Sequence, residues 1–553
     1  MTNTLTAEDH PMTTRKHGIE LLRNPGLNKS TAFTPEEREK LDLTGLVPNV
    51  TESEDVQLQR VLMQLDNKAT DLDQYIYMAG LLDHDETLFY RTVMSDPARF
   101  LPIIYAPTIG EACQKYGHIL RHPRGMYLSM EHKGHIAEVL RNWPEKDVRV
   151  ICVTDGGRIL GLGDLGANGM PIPIGKLQLY TAAAGVPPQH LLPMYLDAGT
   201  DNEELLDDPL YLGMRRKRPK AEELYAFVDE FMEAVQEVFP NCCVHFEDWT
   251  GVDAVNLLER YRDKYCAYND DIQGTAGTTL AAMMSAAYMK GTQLSDEKYL
   301  FLGAGSAGIG LADLLCAALT QEGMSPEEAR SHIYMFDING LLESSRTDLF
   351  DFQQPYAHDH EPTKDFTDAI ESIKPTTIIG VSTVGGAFDQ DVIETMSRIN
   401  ERPVILALSN PTEHAECTAE QAYRWSKGQA IFAAGVQFDP VEYDGKTYRP
   451  SQANNCYIFP AVGMAIVATQ AKRVTDEMFI EAARGVAGQI KPEHHEEGLL
   501  YPPQSDILET EIRTAVRVAK LVFDSGLARV ERPDDIEAFI RGHVYEPQYP
   551  DLA

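Results

Sequence analysis

Residues 298–315 read KYLFLGAGSAGIGLADLL, and this stretch decides the fold. A short apolar run, Tyr299 to Leu302, leads into Gly303, Gly305 and Gly308 in the spacing GxGxxG, and a helical pattern follows. The first glycine permits a tight turn, the second lets backbone approach a pyrophosphate, and the third allows a helix to pack closely on its strand. The N–H groups that open the helix are then free to hold phosphate oxygens. Glycine turns without a ligand are common, so the fingerprint needs support from its surroundings. The next apolar run, HIYMFD, ends on Asp337. An acid there can accept hydrogen bonds from both ribose hydroxyls and repel a 2′-phosphate. Ile338 and Asn339 follow, and the first cation is Arg346. NAD is therefore expected over NADP, with Arg346 keeping NADP open.

Working outward, TTIIGVST, PVILALSN and AIFAAG add three more apolar runs separated by helical stretches. Each run is continuous and not alternating, as in strands buried on both faces of a parallel sheet. The fold class is thus α/β, with a doubly wound, Rossmann-type domain over residues 270–455. A second α/β domain spans 124–269 and is continued by 456–526. It holds the strand-like DVRVICVTDG and an amphipathic helix in which Leu224, Phe227, Val228, Phe231, Val235 and Val238 share one face. Residues 1–123 form an N-terminal arm, to about residue 34, and then a helical domain. Within it FLPIIYAP reads as a strand ending at Pro107. Residues 527–553 read as an extended tail.

The chain has 553 residues, too many for one ordinary core. Acidic residues outnumber basic ones 84 to 49, a formal charge of −35. That argues against nucleic acid and anionic membrane as partners, since both need a cationic surface. A small anion is not excluded, because salt damps the global field over about 8 Å. Eight cysteines without a CxxC read as reduced thiols. No signal-like start or membrane-length apolar run is present, so a cytoplasmic protein is expected.

Two acidic pairs stand out: Glu247 and Asp248 in VHFEDW, and Asp270 and Asp271 in YNDDIQGT. Carboxylates without His or Cys partners form an oxygen-only set suited to Mg²⁺ or Mn²⁺. Adjacent strand residues face opposite ways, so the strand must end or twist for Glu247 and Asp248 to reach one ion. Exposed loop acids are the plainer reading. Lys176 is the single basic residue in ILGLGDLGANGMPIPIGKLQLYTAAAG, a setting that suits a base or an ion-paired lysine. Arg158 can fork onto a substrate carboxylate or lie on the surface. Tyr105 can act as an acid or be a core tyrosine.

Taken together, IIYAPTIGEA, VTDGGRILGLGDLGANGMPIPIGKL, LDAGTDNEELLDDPLYLG, FEDW, YNDDIQGTA, FLGAGSAG, LSNPT and QANNCYIFP resemble malic enzymes in order and spacing, from about Leu27 to Val522. The resemblance implies oxidative decarboxylation of malate to pyruvate and CO₂, with NAD reduced and Mg²⁺ or Mn²⁺ required. It implies Lys176 as the base, Tyr105 as the acid that protonates the enol, and Asp270 as the neighbouring acid that orients the lysine or assists proton transfer. Glu247, Asp248 and Asp271 correspond to metal ligands. Arg158, Asn410 and Asn454 correspond to residues that hold malate and the nicotinamide end of the cofactor. A homodimer or homotetramer is implied. Ala106, Gly157, Pro171 and Ala461 depart from the usual pattern, which puts loop geometry in question more than reaction type. Malolactic enzyme, which releases lactate, is the nearest alternative, and Arg158 argues against it. A non-catalytic NAD-sensing module is the alternative of another class.

Overall fold

The computed structural model describes residues 16–552, in two compact units. One combines the chain up to Arg124 with the residues from Tyr545 on. The other runs from Gly125 to Val544.

The first unit is helical. Its helices Pro35–Lys40, Glu54–Asp66, Asp71–His84, Glu86–Ser95 and Pro97–Ile104 start at Thr34, Ser53, Thr70, Asp85 and Asp96, whose side chains accept backbone N–H groups of the first turn. Each such cap stabilises its helix by about 1 kcal/mol. FLPIIYAP is not a strand: it lies on the Pro97–Ile104 helix and the turn after it. A continuous apolar run does not distinguish a buried strand from a buried helix, and here Asp96 as cap with Pro97 in the first turn decides for the helix. From residue 16 on, the arm packs onto the helical unit. Leu21 and Phe33 are buried against Leu41 and Leu43. The arm's first 15 residues lie outside the described ones.

The second unit contains two parallel sheets. Strands β1 (Met126–Ser129), β2 (Val150–Thr154), β3 (Leu191–Asp197), β4 (Cys243–Phe246) and β5 (Ala267–Asn269) form the first, in the order β1-β3-β2-β4-β5. The amphipathic helix is Ala221–Val238, and Leu224, Phe227, Val228, Phe231 and Val235 face this sheet's core. The second sheet contains β6 (Tyr299–Leu302), β7 (Ile333–Asp337), β8 (Gly340–Leu341), β9 (Thr377–Gly380), β10 (Val404–Ala407) and β11 (Ile431–Ala434). A hairpin of β12 (Val441–Tyr443) and β13 (Lys446–Tyr448) precedes its edge strand β14 (Ser451–Gln452). The order is β14-β11-β10-β9-β6-β7-β8, parallel except for the β7–β8 pair. The five apolar runs are therefore five neighbouring strands, and the order reverses at β6–β9. That reversal is where a doubly wound sheet opens a crevice for ligand.

After β14 the chain returns to the first sheet. The helix Phe459–Thr469 packs on the helix Pro171–Ala184, with the Phe459 and Tyr180 rings 5.1 Å apart. Pro171 opens its helix, a position where proline costs no hydrogen bond. The tail is not wholly extended: Ile536–Arg541 is a helix, capped by Asp535 and closed by a Glu537–Arg541 pair. Among the described residues no cysteine forms a disulfide and no helix is long and apolar enough to cross a membrane.

Candidate active site

Lys176 sits on the Pro171–Ala184 helix with its side chain almost fully buried. Its Nζ donates to Asp270 Oδ2 at 2.6 Å, lies 3.0 Å from Glu247 Oε1, and stands 4.4 Å above the Phe459 ring. The lysine is thus desolvated and ion-paired. Asp270 begins a single π-helical turn, Asp270–Gly274, after β5. Gly274 makes room for it, since a methyl group there would lie 1.8 Å from Asp270 Oδ1. Asp270 Oδ1 is buried and has no hydrogen-bond partner.

Strand β4 ends at Phe246, and Asp248 adopts φ 55°, the left-handed region. This is the twist that Glu247 and Asp248 needed to face one place. Glu247, Asp248 and Asp271 bring carboxylate oxygens within 4.8 Å of one another. Asp271 Oδ2 accepts the Asp248 N–H at 2.8 Å, and Asp248 Oδ1 accepts the Leu160 N–H at 3.1 Å. Asp248 Oδ2 is buried without a partner. Burial first, and the neighbouring carboxylates second, push the Asp248 and Asp271 carboxyls well above the usual range. An all-oxygen donor set with an orphaned buried oxygen fits a hard divalent cation, whose charge would offset both penalties.

In the second sheet, Gly303 has φ +117°, and a methyl group on it would meet the Val381 carbonyl at 2.6 Å. The space at Gly305 is open, and the helix Ser306–Gln321 begins directly after it. Gly308 packs against the Gly303 carbonyl. Asp337 closes β7 but is not free for ligand alone. Arg346 clamps it through two bonds, Nη1 to Oδ1 at 2.9 Å and Nη2 to Oδ2 at 2.8 Å, and also bonds Asp348.

Arg158 is exposed, on a loop whose backbone donates to the Asp248 carbonyl. A methyl group on Gly251 would lie 3.6 Å from Arg158 Nη1 and 3.7 Å from Ser306 Oγ, so the guanidinium stands beside the start of the glycine-turn helix. Gly161, on the same loop, lies against the ring of Pro411, the neighbour of Asn410. Asn454 caps a short turn, its Oδ1 accepting the Cys456 N–H. Tyr105 is buried at the end of the Pro97–Ile104 helix, in the first unit.

Several residues were not singled out in the sequence. Asn455, not Asn454, donates to Asp270 Oδ2 at 3.0 Å. Arg218 pins the Arg158 loop by bonding Asp155 Oδ2 at 2.7 Å and Asp164 Oδ2 at 2.8 Å. His245 contacts Glu247, and burial pushes its pKa down to about 3. An adjacent asparagine in QANN and an in-face histidine in VHFE were the available signals.

Comparison with known proteins bears on this arrangement. Residues 82–262 match the family profile described as "Malic enzyme, N-terminal domain", and residues 272–523 match "Malic enzyme, NAD binding domain". The chain belongs to the malic enzyme family. It is 47% identical to NADP-dependent malic enzyme 2 of Arabidopsis thaliana over 96% of this chain and 91% of that protein. It is 45% identical to the NADP-dependent malic enzyme of Homo sapiens over 98% and 95%. A malic enzyme structure from Entamoeba histolytica superposes with a TM-score of 0.56 at 20% identity, covering 92% of each chain. One from Pyrococcus horikoshii gives 0.55 at 24% identity, over 80% of this chain and 88% of that one. The two structures speak for the fold of this family member.

Proposed function

We propose that this chain oxidatively decarboxylates malate to pyruvate and CO₂, using a nicotinamide cofactor and Mg²⁺ or Mn²⁺. The observation that carries the reading is Glu247, which touches the Lys176 ammonium while standing in the carboxylate trio with Asp248 and Asp271. A base and a cation site thus share one residue. When bound, a nicotinamide would supply a hydride acceptor for C2, and Glu247, Asp248 and Asp271 would hold a divalent ion supplying Lewis acidity at the C2 oxygen.

The chain's own groups handle protons and orientation. Lys176 first hands its ammonium proton to Asp270 Oδ2, to which Nζ is bonded, and the neutral Nζ then takes the C2 hydroxyl proton while Asp270 steadies the lysine. Arg158, Asn410 and Asn454 hold the malate carboxylates and the carboxamide end of the cofactor. Tyr105 delivers a proton to C3 of the enol.

For the cofactor we favour NAD. Asp337, Arg346 and Asp348 together carry one net negative charge, so the Arg346 guanidinium is already engaged and a 2′-phosphate would meet repulsion. NADP is the second reading, because the relatives named above are NADP-dependent enzymes. We further propose a cytoplasmic homodimer or homotetramer. The test is a malate assay with each cofactor, with and without Mn²⁺, with the organic product identified. Pyruvate with NADH is expected; lactate without NADH would instead indicate the malolactic reaction. Asp271→Ala should lose most of the metal-dependent turnover, and unchanged activity at low Mn²⁺ would remove that ligand assignment.

A further inference from the structure

Behind Glu247 stands a chain of buried polar groups that the reaction scheme does not use. His245, on β4, is fully buried, and Glu247 follows two residues on, just past the strand's end. Its Nε2 lies 2.7 Å from Glu247 Oε2. Its Nδ1 lies 2.8 Å from the Tyr180 hydroxyl and 2.9 Å from the Tyr268 hydroxyl, and the two hydroxyls contact each other. A carboxylate only accepts, so Nε2 carries the proton and Nδ1 accepts from a tyrosine. Three aromatic neighbours, Tyr180, Tyr268 and Phe459, hold the imidazole ring in place.

We infer that His245 is a positioning residue for the divalent-metal site, fixing Glu247 Oε2 through a tautomer set by Tyr180 and Tyr268. This rests on the proposal that Glu247, Asp248 and Asp271 hold the ion. Glu247 has competing demands: Oε1 is drawn to the Lys176 ammonium, while its remaining lone pairs must face Asp248 and Asp271. An N–H on Oε2 stops the carboxylate from rotating wholly onto the lysine and leaves Oε1 shared between lysine and metal. Donors behind metal-bound groups set their orientation in this way, and their loss commonly weakens metal binding about ten- to a hundredfold. The two hydroxyls matter because a buried imidazole nitrogen without a partner would be costly and free to flip. His245, Glu247 and Asp270 also bring ligand atoms within 4.8 Å of one another, but Lys176 Nζ already supplies the cation there, so His245 is assigned as a support and not as a ligand.

The test is Mn²⁺ binding to the full, metal-free chain, followed by the EPR signal of free Mn²⁺, beside NAD affinity and melting temperature. His245→Leu should weaken Mn²⁺ binding about ten- to a hundredfold while NAD affinity stays within about twofold. His245→Gln, which can still present an N–H to Glu247, should recover binding to within about threefold of the parent. Should His245→Leu not fold, a Tyr180→Phe/Tyr268→Phe variant keeps the histidine and reads the clamp directly: several-fold weaker Mn²⁺ binding is expected. Parent-like Mn²⁺ affinity in His245→Leu, or in the double tyrosine variant, overturns the inference and leaves the metal site standing. Failure of the parent chain itself to bind Mn²⁺ overturns both.

Discussion

Lys176 Nζ and Asp270 Oδ2 lie 2.6 Å apart although 94 residues separate them in the chain. The lysine comes from a helix packed on the first sheet, the aspartate from the turn that leaves that sheet's last strand. In the proposed function, their meeting makes one acid–base device of two sequence motifs. Asp270→Asn keeps the side-chain volume and removes the charge that orients Nζ. We expect kcat to fall by about a hundredfold or more, the scale of a general acid–base contribution, with malate KM changed far less. Steady-state kinetics with malate decide it; an unchanged kcat would leave Asp270 a structural partner only.

The cofactor turn gives a separate prediction. Gly303 combines φ +117° with a carbonyl 2.6 Å from where a methyl group would stand. Gly303→Ala must therefore displace the turn from the start of the Ser306–Gln321 helix. NAD affinity, read by quenching of protein fluorescence, should drop by about tenfold or more. Retained affinity would mean that the pyrophosphate does not use this turn.

The extent to which these features were legible differs by residue. The five strands were legible because each is a short, unbroken apolar run set off by helical stretches, the recurring pattern of a sheet covered on both faces. The acids of FEDW and NDD were visible as pairs, but whether they met was not, since spacing gives a strand face and not the neighbour across the sheet. Asp248 reaches its place by a left-handed backbone turn, which the side-chain pattern does not encode. The same limit explains Asn455: of two adjacent asparagines, the turn gives Asn454 to a backbone N–H and leaves Asn455 for Asp270. His245 was not singled out, because its sequence position does not show which hydroxyls and carboxylate meet its ring. FLPIIYAP failed as a strand because its deciding signal, Asp96-Pro97, lies upstream of the apolar run itself.

On the proposed preference for NAD, cofactor choice would turn on the Asp337–Arg346 clamp, both bonds of which lie near 2.9 Å. Asp337→Ala removes a carboxylate that repels a 2′-phosphate and at the same time frees half of the guanidinium's engagement, leaving Asp348 on the other side. The ratio of kcat/KM for NAD over NADP should shift toward NADP by about tenfold, the scale of one charge-assisted contact. Assaying both cofactors on parent and variant decides it, and a constant ratio would detach Asp337 from specificity.

Asp85 carries a pH-dependent contribution in the first unit. It caps the Glu86–Ser95 helix by accepting the Leu88 N–H at 2.9 Å and also accepts the Tyr549 hydroxyl at 2.7 Å. Burial outweighs both bonds and pushes its pKa up from 3.8 to about 6. Between those values the folded chain holds a proton that the unfolded chain has released, so stability falls as pH rises. The favourable contribution is complete below 3.8 and gone above about 6, a span of roughly 3 kcal/mol at about 1.4 kcal/mol per pK unit. Asp85→Asn retains an acceptor for Leu88 and does not ionise. Denaturant melts should find this variant more stable than the parent at pH 7.5, by an amount on the order of 1–3 kcal/mol, with the gain shrinking as pH falls toward 4. A gain of equal size at both pH values would show that the carboxylate's charge is not what the fold opposes at this position.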